Sequence, residues 1–299
     1  MKHLQALLNI QTNFEIDCIV ACDTDSNVLD SIRLNGIERH QHPETLVETF
    51  QLDAVIIATP DGSHYELGKQ FLSQDVDVFV EKPLATMFDH ASSLVSLSIE
   101  EGKVLKSGFL LRFHPCIQQA RSQIHAGRIG AIQSILYCKK SPRSRNNGLH
   151  ALDSLAIHGI DLAEFLLKGQ TPLRISEVLG DRMNSELTME FPNQVEVHID
   201  VGWGANEDTA HLEILGANGR ISIQLADHST YNIDGNDSET CYVHSMYTPL
   251  EGVLLDFIQG DVSAFAASTG SILRTIKCVE HARSKLISSG RFNTRELKR

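Results

Sequence analysis

Val76-Asp77-Val78-Phe79-Val80-Glu81-Lys82-Pro83 decides the fold. The apolar run Val76, Val78, Phe79, Val80 reads as a buried strand, and a charged pair and a proline follow it. Proline removes a backbone donor and ends the strand, so Lys82 is expected at the C-terminal edge of a sheet, pointing into the crevice beyond it. Open α/β sheets bind their ligands at that edge. Taken alone, Glu81-Lys82-Pro83 is equally an ordinary solvated turn, and the surrounding pattern has to decide.

Working outward from this strand, apolar strand-length runs alternate with amphipathic helical ones from Glu15 to Phe109, the pattern of a parallel α/β sheet. Strands are predicted at Ile16 to Cys22, near Ile37, and at Ala54 to Thr59, Val76 to Val80 and Val104 to Phe109. Helices are predicted at Val28 to Asn35, Glu44 to Phe50, Tyr65 to Ser73 and Phe88 to Glu101, with Asn35-Gly36 and Glu101-Gly102 as stops. A boundary near Arg112 to Pro115 divides the chain into a dinucleotide-binding part, 1–112, and an α+β part, 113–299. The second part is predicted to hold a helix to about Gly127, a strand at Ile132 to Cys138, a helix at about Leu152 to Leu167 and five further strands between Ile175 and Leu225. Helices at about Leu250 to Gln259 and Ile272 to Ser288 close it. The fold class is thus α/β, a Rossmann-like parallel sheet followed by an α+β part whose sheet is mostly antiparallel.

The 299 residues suffice for two domains, and 42% hydrophobic with 21% charged residues is the balance of a globular chain. A formal net charge of -12 argues against nucleic acid as a partner. The 6 cysteines are scattered with no Cys-x-x-Cys pair, which fits a reducing cytoplasm, and no run is long enough to span a membrane. None of the 14 histidines has ligand spacing with acidic partners, so no metal is expected.

Four short motifs carry a resemblance. Ala58-Thr59-Pro60 with His64, Glu81-Lys82-Pro83-Leu84, Gly108-Phe109 with Arg112-Phe113 and Pro115, and Ile157-His158-Gly159-Ile160-Asp161-Leu162 occur in this order along nearly the whole chain. Together they resemble the Gfo/Idh/MocA family of nucleotide-dependent sugar and polyol oxidoreductases. The resemblance implies a dehydrogenase with NAD as cofactor and a sugar, polyol or sugar nucleotide as substrate. Thr59, Pro60 and His64 would border the nicotinamide ribose, and Glu81 and Arg112 would frame the cofactor pocket.

Two departures accompany it. The chain opens at Met1-Lys2-His3-Leu4, which resembles the helix after the family's glycine-rich turn, so the first, central strand and the turn glycines are missing. The expectation is that the recorded start lies downstream of the native one. Without the turn, two lost charge-assisted bonds to the pyrophosphate would weaken binding by about 3–6 kcal/mol. Such a sheet is also expected to fold poorly. Second, the family has an aspartate four residues before the histidine, and Ser154 stands there, with Asp153 one residue earlier. One residue turns a helix by about 100°, so Asp153 reaches the substrate only if the helix start is irregular.

Within this frame His158 is the expected base and Lys82 the cation that stabilises the developing alkoxide. Asp161 either orients the imidazole or bonds nearby backbone. Asp23, at the end of the second strand of the implied sheet, is expected on the ribose 2′-hydroxyl; Thr24 follows it with no arginine, which favours NAD over NADP. An alternative reading makes Asp23-Thr24-Asp25-Ser26 a helix cap. The basic segment Lys139-Lys140-Ser141-Pro142-Arg143-Ser144-Arg145 offers Arg143 to the diphosphate of a sugar nucleotide, or is simply solvated. A homo-oligomer, dimer or tetramer, is expected from an apolar face carrying Val201, Trp203, Leu212 and Ile214, unless the terminal helices cover it. The competing function is a catalytically silent relative that binds a sugar or a partner as a sensor.

Overall fold

The computed structural model describes residues 1–143, 150–235, 237–260 and 263–288. Its first part alternates as expected: α1 (Lys2–Gln11), β1 (Ile19–Cys22), α2 (Ser26–Ser31), β2 (Ile37–His40), α3 (Leu46–Thr49), β3 (Ala54–Ile57), α4 (His64–Leu72), β4 (Asp77–Val80), α5 (Phe88–Glu100) and β5 (Leu105–Ser107). All its pairings are parallel. They form two separate ladders, β1 with β2, and β4 between β3 and β5. Among the described residues no ladder joins β1 to β3, the place that the doubly wound order gives to a strand between them.

Strand β4 is buried on both faces, as a continuous apolar run requires. Phe79 packs on one side with Ala6 and Ile10 of α1 and with Val253, Leu254 and Phe257, while Val78 and Val80 join the main core on the other. The strand therefore cannot shift without unpacking both layers, and Lys82 leaves its end from a fixed point.

The second part contains α6 (Pro115–His125), β6 (Ile132–Ser141), a π-helical turn (Leu152–Ala156) running into α7 (Ile157–Leu166), then β7 (Arg174–Gly180), β8 (Asn184–Phe191), β9 (Val195–Trp203), β10 (Thr209–Gly216), β11 (Gly219–Gln224), β12 (Thr230–Asp234) and β13 (Ser238–Tyr242). Helices α8 (Pro249–Ile258) and α9 (Thr269–Ser288) follow. The sheet has 8 strands in the order β13-β12-β11-β10-β6-β9-β8-β7. Its neighbours are antiparallel except for the interior pair β6 and β9, which is parallel. A parallel pair needs a crossover. Helix α7 supplies it, and the β7-β8-β9 meander then brings β9 back beside β6.

The expected exposed apolar face is corrected here. Val201 is 0% exposed, Trp203 7%, Leu212 0% and Ile214 0%, all within the main core. On β8, β9 and β10 the opposite side chains are mostly polar, among them Glu186, Glu190, Glu196, His198 and Glu213, with Leu215 exposed beside them. These strands alternate with period two, and the helices take the apolar side. The apolar-face argument for an oligomer therefore falls. No helix among the described residues is long and apolar enough to cross a membrane.

Candidate active site

Lys82 is the second residue after β4, following Glu81, and the Lys82–Pro83 peptide is cis. Its Nζ donates to the carbonyl oxygen of Ser154 at 2.7 Å, across the boundary between the two parts of the chain. Ser154 sits in the π-helical turn, one helical turn before His158. The irregular helix start that Asp153 was expected to need is thus present. The π-turn is also what presents the Ser154 carbonyl to the ammonium.

His158 follows on the first turn of α7. Its Nδ1 is buried and has no hydrogen-bond partner among the described residues. Burial holds the imidazole well below its ordinary pKa, helped by the positive charges of Lys82 and then Lys139. The charge of the amine thus bears on the imidazole. Lys139 lies on the inward side of β6, two residues after Tyr137, whose ring lies against Gly159: a Cβ on that glycine would sit 2.6 Å from Tyr137 Cδ1. Period-two alternation along β6 was the available signal that Lys139 shares the face of Tyr137.

Other predicted residues are placed differently. His64 is 0% exposed, with Nδ1 2.8 Å from the Pro83 carbonyl oxygen and Nε2 3.0 Å from that of Thr59. It ties the loop after β3 to the loop after β4. Thr59 and Pro60 are exposed at that edge, and Ser63 Oγ donates to Thr59 Oγ1 at 2.7 Å. Arg112 is 5% exposed and does not frame the crevice. Its Nε and Nη2 donate to the Asp161 carboxylate, the shortest contact 2.6 Å, and Nη2 also reaches Ser271 Oγ at 2.5 Å. Among the described residues Asp161 bonds Arg112, not the imidazole or the backbone. Burial raises its carboxyl, and the guanidinium offsets only part of that.

Asp153 is paired with a residue of α9. Its Oδ1 accepts from Arg283 Nη1 at 3.1 Å, and burial raises its carboxyl despite that arginine. Glu81 stays at the crevice. Burial works against its charge, but the His3 ring at 2.8 Å and the Lys82 N–H at 3.0 Å outweigh it and lower the carboxyl. His3 was missed because its partner lies 78 residues away. Asp23 Oδ1 accepts from the Asp25 N–H at 3.0 Å, while Asp25 is the residue that caps α2. Asp23 is left at the end of β1. In the basic segment Lys139 pairs with Asp208 and Lys140 with Asp200; Arg143 is exposed, and Arg145 lies outside the described residues.

Residues 1–109 match the model of an oxidoreductase family with an NAD-binding Rossmann fold, and residues 117–222 match the C-terminal domain of the same family. The chain belongs to the Gfo/Idh/MocA family. Over 268 residues it is 24% identical to the 2,7-anhydro-N-acetylneuraminate hydratase of Escherichia coli (strain K12), covering 81% of this chain and 69% of that protein. It is 24% identical to inositol 2-dehydrogenase 2 of Saccharopolyspora erythraea, covering 78% and 72%. A solved UDP-N-acetylglucosamine 3-dehydrogenase of Acidithiobacillus ferrooxidans shares the fold with a TM-score of 0.78 at 20% identity, over 94% of this chain and 93% of that one.

The residues of this Gfo/Idh/MocA chain fit the dinucleotide that its family binds. The parallel strands β3 and β4 end on one edge, with the exposed Thr59-Pro60 after the one and Lys82 after the other. Asp23 ends β1 in the other parallel ladder, and the orphaned Nδ1 of His158 belongs to the helix whose preceding turn holds Lys82. Asp23 suits a ribose hydroxyl, and the Lys82 end suits the reacting alcohol.

Proposed function

We propose that this chain is an NAD-dependent dehydrogenase acting on a secondary alcohol of a sugar, polyol or sugar nucleotide. The convergence of Lys82 and His158 carries the reading: the ammonium is held on the Ser154 carbonyl, and its charge bears on the imidazole. Bound NAD supplies the hydride acceptor. A neutral His158 takes the hydroxyl proton, and the pKa lowering keeps it neutral. Lys82 stabilises the negative charge that develops on the alcohol oxygen.

Asp23, with Thr24 beside it, favours NAD over NADP. The relatives named above support a polyol or an N-acetylated sugar as substrate. Arg143, exposed at the end of β6, would add a diphosphate contact if the sugar is nucleotide-linked. The division at 112/113 belongs to this reading, the first part carrying NAD and the second carrying His158.

NADH formation with inositols, aldoses and UDP-N-acetylhexosamines, together with calorimetric titration of NAD, tests it. Oxidation of one class that is lost in Lys82→Met is the expected result. Absence of both NAD binding and oxidation overturns it. Arg143→Ala should raise KM for a nucleotide sugar far more than for a free sugar, and equal effects would remove the diphosphate contact.

A further inference from the structure

One face of α9 grips the loop that carries Lys82. Lys277 Nζ stands 5.4 Å over the Phe88 ring, and Glu280 Oε1 accepts the Phe88 N–H at 3.2 Å. One turn on, Arg283 Nη2 donates to the Thr86 carbonyl at 3.4 Å, while its Nη1 donates to Asp153 Oδ1 at 3.1 Å. Residues 277, 280 and 283 recur at helical spacing and so share a side. Arg283 thus touches both segments that meet at the site, the one that follows Lys82 and the π-helical turn that precedes His158. A small cavity separates these segments from α9, with Pro83, Ala85, Ile157, Ile276 and Val279 among its walls. Arg283 and both of its acceptor residues, Thr86 and Asp153, line the same cavity.

We propose that Arg283 is a positioning residue that sets Lys82 against His158 by bridging Thr86 to Asp153. The proposal rests on the dehydrogenase reading for its kinetic test, but its structural test does not. Two acceptors on two segments need two N–H groups at fixed geometry, which guanidinium has and ammonium lacks. Arg283 touches neither reacting group itself. It acts through the loop on Lys82 and through the turn on the Ser154 carbonyl and His158. The sequence separates the fork from its two acceptors by 197 and 130 residues, so only the fold displays the bridge.

The test compares Arg283→Lys, Arg283→Met, Asp153→Asn and Asp153→Ala in the full chain. Both Arg283 variants should lose about tenfold or more in kcat, because displacement of the reacting groups by about an ångström is enough for that. KM for NAD should stay within about twofold, since uniform binding is untouched. Asp153→Asn, which keeps an acceptor oxygen, should retain most activity, and Asp153→Ala should lose it. The double variant Asp153→Ala/Arg283→Met should be no worse than Arg283→Met alone.

Near-native kcat in Arg283→Lys would show that charge alone suffices, and additive losses in the double variant would show independent roles. Either result overturns the proposal. Amide hydrogen exchange decides without turnover: the Arg283 variants should lose protection at Ala85 to Phe88 and at Leu152 to His158, but not in β8 or β9. Unchanged protection at both segments overturns the bridge. If the native chain oxidises none of the alcohols, the dehydrogenase reading fails and the exchange result still settles the role of Arg283.

Discussion

At the scale of single residues, the proposed reacting pair, Lys82 and His158, acts through supports drawn from distant parts of the chain. Lys82 and His158 stand in motifs that announce them, whereas the Ser154 carbonyl, Lys139 and His3 enter only through three-dimensional contact. Lys82→Met and His158→Gln should each lower kcat by about 10²–10⁴-fold while NAD affinity measured by calorimetry holds. Because burial, then Lys82 and Lys139, push His158 well below its ordinary value, the acid limb of kcat/KM for oxidation should lie below pH ~6.5. Removing a neighbouring positive charge raises an imidazole pKa. Lys139→Met should therefore move that limb to higher pH, and a limb that stays fixed or moves down would sever Lys139 from the site. Arg112 illustrates the opposite case: the motif suggested a cofactor contact, but its partner lies 49 residues away and both are buried. Arg112→Met leaves the Asp161 carboxyl buried without its cation, a loss of about 3–5 kcal/mol where such pairs are broken. Urea unfolding should show it, with NAD affinity of the folded protein unchanged.

At the scale of elements, legibility followed burial. Helices α4 and α5 and strands β3, β4 and β9 were readable because one face or both are apolar. Strands β12 (Thr230–Asp234) and β13 (Ser238–Tyr242) were missed, since β13 is exposed along nearly its whole length and both are rich in polar residues. The parallel pairing of β6 with β9 was hidden as well, because direction depends on the crossover and not on either strand's own residues. The helix over Leu152 to Leu167 was foreseen, but not its division into a π-turn and α7, which depends on what α7 packs against. Gly159 is the closest such contact, with Tyr137 Cδ1 2.6 Å and Ile199 Cδ1 3.1 Å from where a Cβ would stand. Gly159→Ala gains about 1 kcal/mol of helix propensity. Overpacking costs about 1–3 kcal/mol, and it should win because Tyr137 is 2% exposed and has nowhere to move. A lowered urea midpoint together with a loss of kcat is expected, as α7 moves away from β6 and carries His158 with it. An unchanged midpoint and kcat would show that the Tyr137 ring yields instead.

At the scale of the whole molecule, the division into a parallel and a mostly antiparallel part was legible from the alternation of patterns, but the packing that joins the parts was not. Burial lowers the pKa of three histidines, His114, His150 and His158. Burial and then the charge of His228 lower His114 to about 4; burial and then Arg283 and Arg182 lower His150 to about 4; and His158 is lowered for the reasons given above. In each case the native state holds the neutral ring while the unfolded chain binds a proton below about pH 6.5. The unfolded state then binds more protons, so stability rises with pH across the window from about 4 to about 6.5, and is lost as the pH falls through it. A histidine shifted from 6.5 to about 4 contributes a loss of about 2 kcal/mol on going from pH 7 to pH 5. The buried carboxyls of Asp153 and Asp161 are raised and act in the opposite sense, so the difference between two proteins is a cleaner measure than one curve. His114→Gln removes one titrating ring from a position that is 0% exposed. Urea unfolding of both proteins at pH 7 and pH 5 should show the native chain losing about 2 kcal/mol more than the variant across that interval. Equal losses would mean that His114 is protonated in the folded state at pH 5, and that its burial does not exclude the charge.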